Sequence, residues 1–496
     1  MKNGTLLAAV DLGSNSFRLE IGRYADGLIE RVDYLRETVR LGGALDAHRV
    51  LSEEAMESGW SCLARFGERL RRFSKGRVRA VATQTLREAR NSAAFLGIAQ
   101  QRLGFSIEVI SGIEEARLTF AGVTHMLPNR RERRLVFDIG GRSTEVILGR
   151  GSTPHDMESY RVGSVSWTRS HFPDGACRQA HFDKAITAAE AVFDQGARQF
   201  AVSHWDTAYG SSGTIGAAFD LAHELGLGNG LLTRRAVDAM IKHCAEAGDV
   251  QHLQLPAVRA DRLAVLPGGL SVLRAVMGVY GINELRQAQG ALRHGMLFDL
   301  ISRQSQQSDV RVQTVLALCN RFQVDRSQGK RVKSVATNLA KRSNVAVTGD
   351  ALRCLGWACE LHEAGAIVSH TEMAKHGAYL LANVDAPGFT MEETAWISAL
   401  VRGQRGKLKA VASWLADPVQ RCSLLCLRLA TVVCHHRQAP EAQAMSVAWE
   451  RDRVTIRVNL GWAERNPQSW WLLNVERMHW AKVGVDLRLE AQQPLA

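Results

Sequence analysis

LLAAVDLGSNSFRLEI, residues Leu6 to Ile21, is the stretch on which the fold turns. An apolar run (Leu6, Leu7, Ala8, Ala9, Val10) ends in Asp11, and Gly13, Ser14, Asn15 and Ser16 make a small-residue turn. Phe17, Leu19 and Ile21 then alternate with Arg18, Glu20 and Gly22, which is strand period. The reading is strand, tight turn, strand, with an acid at the bend. Glycine and small polar residues leave backbone N–H groups free and let a bulky anion come close. A carboxylate beside a phosphate makes sense mainly with a divalent cation between them.

The phrase recurs at Leu135 to Leu148, LVFDIGGRSTEVIL. Leu135, Val136 and Phe137 lead to Asp138, the turn is Gly140, Gly141, Arg142, Ser143 and Thr144, and Val146, Ile147 and Leu148 lead out. One such hairpin reads equally well as an ordinary β-turn. Two of them predict two similar lobes facing each other across a phosphate-binding cleft.

DLGSNSFRL with DIGGRSTE resembles the exopolyphosphatase and guanosine pentaphosphate phosphohydrolase family, of the acetate-kinase, sugar-kinase, Hsp70 and actin superfamily. ATQTLREARN at 82–91, ISGIEEARL at 110–118 and YGSSGTIGA at 209–217 agree with it and follow the family's order. The resemblance implies an α/β fold with two actin-like (ribonuclease-H-like) lobes around a cleft, at 1–119 and 120–302. An all-α HD-like domain at 303–438, expected to be metal-free, and a small α+β domain at 439–496 would follow. It also implies site roles. Glu115 matches the general base, and Arg87 the phosphate-binding arginine. Gly13, Ser14, Asn15, Ser16, Gly140, Gly141, Arg142 and Ser143 form the phosphate-binding turns, and Asp138 with Asp11 holds Mg²⁺. Stimulation by a monovalent cation and a homodimer are further implications. One departure stands out. The family commonly shows DIGGGSTE, and here the third glycine is Arg142, which either adds a phosphate contact or strains the turn if the backbone needs φ > 0.

The bulk numbers set limits. At 496 residues the chain is too long for one core. Apolar content of 46% with 23% charged residues describes a folded chain rather than a disordered one. A net charge of +12 attracts polyanions in general: nucleic acid, anionic membrane or polyphosphate. Nine scattered cysteines contain no CxxC pair and read as reduced thiols of a cytoplasmic protein. No secretion signal opens the chain and no run of about 20 apolar residues could span a bilayer, although peripheral membrane association stays open.

Elsewhere, Leu51 to Phe73 reads as a helix capped by Ser52, with Val78–Ala82 and Ile107–Ile110 as strands. Glu114 and Glu115 open a helix, where acids commonly just offset the dipole. NRRERR at 129–134 is a charged loop, and Ile301 to Ser308 a glutamine-rich boundary. In the helical half, His362-Glu363 resembles a relic of an HD metal site, and Lys333, Arg342, Arg405, Lys407 and Lys409 are candidates for a polyanion channel. Ser446–Val458 and Val483–Leu489 read as strands around a helix, with Trp449, Trp470, Trp471 and Trp480 as core.

These observations lead to an exopolyphosphatase that releases terminal orthophosphate from inorganic polyphosphate. Hydrolysis of guanosine pentaphosphate is the alternative, alone or as a second activity. A kinase of the same superfamily and a catalytically dead polyphosphate- or nucleic-acid-binding module are the remaining rivals.

Overall fold

A computed structural model describes residues 1–127, 131–227, 230–253, 255–303, 309–438 and 445–492. Asn129 and Arg130 of the charged loop, the stretch 304–308 and the expected boundary near 439 lie outside the described residues. The chain forms two compact units, Met1–Asp309 and Val310–Ala496.

The first unit holds two sheets. Strands β1 (Leu6–Leu12), β2 (Ser16–Ala25), β3 (Leu28–Thr38), β4 (Val78–Ala82) and β5 (Ile107–Val109) order as β3-β2-β1-β4-β5. The first three pair antiparallel, and β4 and β5 extend the sheet in parallel. The second sheet contains β6 (Arg133–Ile139), β7 (Thr144–Arg150), β8 (Thr153–Tyr160), β9 (Thr207–Ser211), β10 (Leu231–Thr233) and β11 (Glu284–Gln287). From one edge it runs β8-β7-β6-β9-β11-β10, again an antiparallel meander extended by parallel strands, with β10 added antiparallel at the far edge. The two sheets are thus the same design used twice, and the recurring hairpins are β1–β2 and β6–β7.

Alternation fills both faces of each sheet. In β1, Ala8, Val10 and Leu12 join the core beneath helices Glu53–Leu70 and Ser92–Leu103. Leu7 and Ala9 pack on the other face against Leu292, Met296, Leu297 and Leu300 of helix Leu292–Ser302. In β6, Leu135, Phe137 and Ile139 join the core of the second lobe. Val136 meets Ala116, Phe120 and Val123 of helix Gly112–His125. So the first sheet is backed by a helix from the far end of this unit and the second by the helix that precedes it, and the expected division at 119/120 falls inside the latter.

The second unit has helices Val310–Arg321, Arg326–Arg342, Gly349–Leu361, Met373–Asn383, Met391–Gly403 and Pro418–Val433. A sheet of β12 (Met445–Glu450), β13 (Arg453–Asn459) and β14 (Asp486–Gln492) shares one core with them. The expected single strand over 446–458 is a hairpin, broken where Arg451 takes a φ of 55°. His362 is buried, its Nδ1 2.7 Å from the Cys359 carbonyl, and Gln404 donates to the His362 carbonyl at 2.6 Å. Glu363 accepts from Arg437 Nη2 at 2.7 Å. Lys333 pairs with Glu360 at 3.2 Å, while Arg342, Arg405, Lys407 and Lys409 are exposed. Trp449 and Trp480 are core, but Trp471 is 65% exposed. All nine cysteines are buried free thiols.

Candidate active site

The two turns face one cavity. Its walls carry Gly13, Ser14, Asn15 and Ser16 from the first hairpin and Gly140, Gly141 and Ser143 from the second. Asp11, Asp138 and Glu115 line it as well. Each turn is braced from behind. Gly42 donates its N–H to the Ser14 carbonyl at 2.7 Å, and Thr85 donates its hydroxyl to Ser14 Oγ at 2.8 Å. Behind the second turn, Ser164 and Val165 donate their N–H groups to the carbonyls of Gly140 and Gly141 at 2.9 Å. That contact needs a glycine at 163, where a Cβ would come within 2.4 Å of the Arg142 nitrogen.

Strand register explains which charges meet. Asp11 pairs with Arg18 across β1–β2, and Asp138 pairs with Glu145 across β6–β7. The duplicated hairpins thus set a cation opposite one aspartate and an acid opposite the other. Arg18 lies 3.6 Å from Asp11, and Arg293, from helix Leu292–Ser302, lies 3.4 Å from the same oxygen. Glu145 is buried and accepts from Ser159 Oγ at 2.8 Å.

The acids crowd one another. Burial pushes Glu115 up to about 7, against the pull of Arg87, and Asp11 and Asp138 add to the rise. Burial likewise raises Asp138, with Asp11 contributing, and raises Glu145 strongly, with Glu115 and Asp138 contributing. Hard carboxylate oxygens that destabilise one another's charge fit a divalent cation such as Mg²⁺. Such an ion needs only one or two protein carboxylates besides substrate oxygens and water. Orphaned donors fit an anion: Asn15 Nδ2 and Arg18 Nε are buried without an acceptor.

Two expected phosphate ligands are paired with carboxylates of the protein. Arg87, in the short helix Gln84–Glu88, donates to the Ile110 carbonyl at 2.6 Å and to Glu115 Oε2 at 3.3 Å, so it borders Glu115 at the edge of the cavity. Arg142 turns to the first lobe. It pairs with Glu88 at 2.7 Å and donates to the Gly42 carbonyl at 3.2 Å. Arg142 is not among the residues with positive φ, so its turn carries no left-handed strain. Glu114 is buried away from the cavity, held by Arg117 at 2.7 Å and Arg79 at 3.3 Å.

Sequence reading missed Arg18, Glu145, Arg262 and Arg293, all of which line the cavity. The first two had a usable signal. In each hairpin the residue seven after the aspartate falls directly opposite it. Arg262 and Arg293 arrive from distant elements and had none.

A duplicated, actin-like pair of lobes around a phosphate-sized cleft defines a phosphoryl-transfer protein. The profile of the Ppx/GppA phosphatase family matches residues 21–304, and that of its domain III matches 310–477. The chain belongs to the Ppx/GppA phosphatase family, a family of phosphohydrolases. It is 33% identical to the guanosine-5'-triphosphate,3'-diphosphate pyrophosphatase of Vibrio vulnificus (strain YJ016), over 99% of both chains. It is also 33% identical to the protein of that name from Vibrio cholerae serotype O1 (strain ATCC 39541 / Classical Ogawa 395 / O395), over 98% of both. A Ppx/GppA family member from Aquifex aeolicus shares the fold, with a TM-score of 0.52 at 23% identity, covering 61% of this chain and 99% of that one. Among the described residues no helix is long and apolar enough to cross a membrane.

Proposed function

We propose that this chain hydrolyses the terminal phosphoanhydride of guanosine pentaphosphate, giving guanosine tetraphosphate and orthophosphate. The observation that carries the reading is end-to-end similarity, at 33% identity over 99% of both chains, to a relative named for that substrate. The site supplies a chemistry to match.

The terminal phosphoryl group sits between the two turns, where backbone N–H groups, Asn15 Nδ2 and Arg18 Nε meet its oxygens. Asp11 and Asp138 would hold Mg²⁺, which when bound offsets charge on those oxygens. Glu115 takes a proton from water as the new P–O bond forms. The anhydride bond breaks, and the nucleotide leaves as its 5'-diphosphate oxyanion. Arg87, on Glu115 Oε2, holds the carboxylate in place.

The test is product analysis after incubation with guanosine pentaphosphate and Mg²⁺. One orthophosphate per tetraphosphate is expected. Release of pyrophosphate, or no release, would contradict the reading. Inorganic polyphosphate is the second reading, favoured by the net charge of +12, because its end is also a phosphoanhydride.

A further inference from the structure

Glu115 is tied to a row of polar side chains that leads away from the cavity. Arg87 donates through Nη1 to Glu115 Oε2 at 3.3 Å and to the Ile110 carbonyl at 2.6 Å. Its Nη2 donates to Gln84 Oε1. Gln84 Nε2 donates in turn to Glu88 Oε1 at 2.6 Å. The other oxygen of Glu88, Oε2, accepts from Arg142 Nη2 at 2.7 Å. Gln84, Arg87 and Glu88 all belong to the short helix Gln84–Glu88.

The chemistry of these groups gives the row a single polarity. An ionised carboxylate only accepts, and a guanidinium only donates. Gln84 lies between the two, so its amide has to turn the NH₂ to Glu88 and the carbonyl to Arg87. Burial opposes charge on Glu88, but Arg142 and then Gln84 outweigh it and hold the carboxyl below its ordinary range. Glu88 is therefore ionised at neutral pH and keeps the amide turned that way. Gln84 is buried, which leaves water little access to compete for these bonds. Glu88 and Gln84 stand four apart on one helix, where side chains meet, so this half of the row does not need Arg142. With Nη1 on Ile110 and Nη2 on Gln84, the Arg87 guanidinium meets Glu115 in one orientation.

We propose that Gln84 and Glu88 are positioning residues for hydrolysis: they fix the Arg87 guanidinium, which in turn keeps the Glu115 carboxylate aimed at the attacking water. Neither side chain lines the cavity, so both act through Arg87. The proposal rests on Glu115 as the base of the proposed reaction.

The experiment measures kcat and KM for phosphate release with Mg²⁺, from guanosine pentaphosphate and from long-chain polyphosphate, with melting temperatures alongside. Gln84→Leu removes the link at nearly constant volume. On the substrate that the unaltered protein prefers, kcat is expected to fall about tenfold with KM within about twofold. In Glu115→Gln the same substitution should cost no further activity, because no base is left to aim. Gln84→Glu sets two carboxylates face to face and should lose activity as well. Adding Glu88→Gln to it puts a donor opposite an acceptor again and should recover most of that loss. Both exchanges are nearly isosteric, so a recovery reports hydrogen-bond polarity rather than packing. If Gln84→Leu fails to fold, the exchanged pair carries the test. An unchanged kcat in folded Gln84→Leu, a loss carried by KM alone, a full further loss on top of Glu115→Gln, or no recovery in the exchanged pair overturns the proposal. Near-normal turnover in Glu115→Gln by itself overturns the reading of the base, and this inference with it. Phosphate release from neither substrate by the unaltered protein overturns the proposed function as a whole.

Discussion

Glu114 and Glu115 sit side by side in the first turn of one helix, and successive helical residues point about 100° apart. Glu114 is turned into a buried cluster with Arg117 and Arg79, and Glu115 lines the cleft. Glu115→Gln should therefore lower kcat by about 10²–10⁴-fold with little change in KM, measured by phosphate release. Near-normal turnover would remove Glu115 from the role. The pH profile adds a sign. A carboxyl raised to about 7 is neutral below that pH and cannot accept a proton, so kcat/KM should climb as pH rises through about 7. That limb should vanish in the Gln variant. Arg142 makes the opposite prediction. Its guanidinium is occupied by Glu88, so Arg142→Gly should leave kcat/KM within about threefold and cost only about 0–1 kcal/mol in denaturant unfolding. A large loss of turnover would mean that Arg142 leaves Glu88 and reaches substrate.

Helices Gly112–His125 and Leu292–Ser302 carry the site and are locked together by charge. Asp299 receives Arg79 and Arg117 at 2.5 Å and Arg303 at 2.6 Å, and Glu114 shares the two buried arginines. Asp299→Asn should cost about 3–5 kcal/mol in chemical denaturation at pH 7, because it leaves buried cations short of a partner. A loss under 1 kcal/mol would show the cluster to be solvated. Burial opposes the charge on Asp299, but Arg117 and Arg79 outweigh it and hold the carboxyl well below its ordinary range. A group depressed on folding stabilises above its unfolded pKa, so this contribution persists at neutral pH and fades only below about pH 4. None of this was readable beforehand. The partners are separated by 182 and 220 positions, and a charged residue on a helix most often faces water. The hairpins were legible for the converse reason. Their period, their acids and their turns are local, and the duplication let each confirm the other.

At the scale of the whole molecule, the lobes came from one phrase written twice, and sheet order bears that out over five strands, with β10 added at the edge of the second sheet. The partners of Arg87 and Arg142, Glu115 and Glu88, were not legible along the chain, because an arginine's long stem lets a neighbouring carboxylate claim it. Substrate choice was the least legible property. Net charge pointed only to polyanions in general, whereas five arginines beside the cleft are a local concentration of charge that composition cannot resolve. The most direct measurement is kcat/KM for phosphate release from guanosine pentaphosphate and from long-chain polyphosphate, side by side with Mg²⁺. The account predicts a clear preference for the nucleotide. A clear preference for the polymer would contradict it and make the chain an exopolyphosphatase.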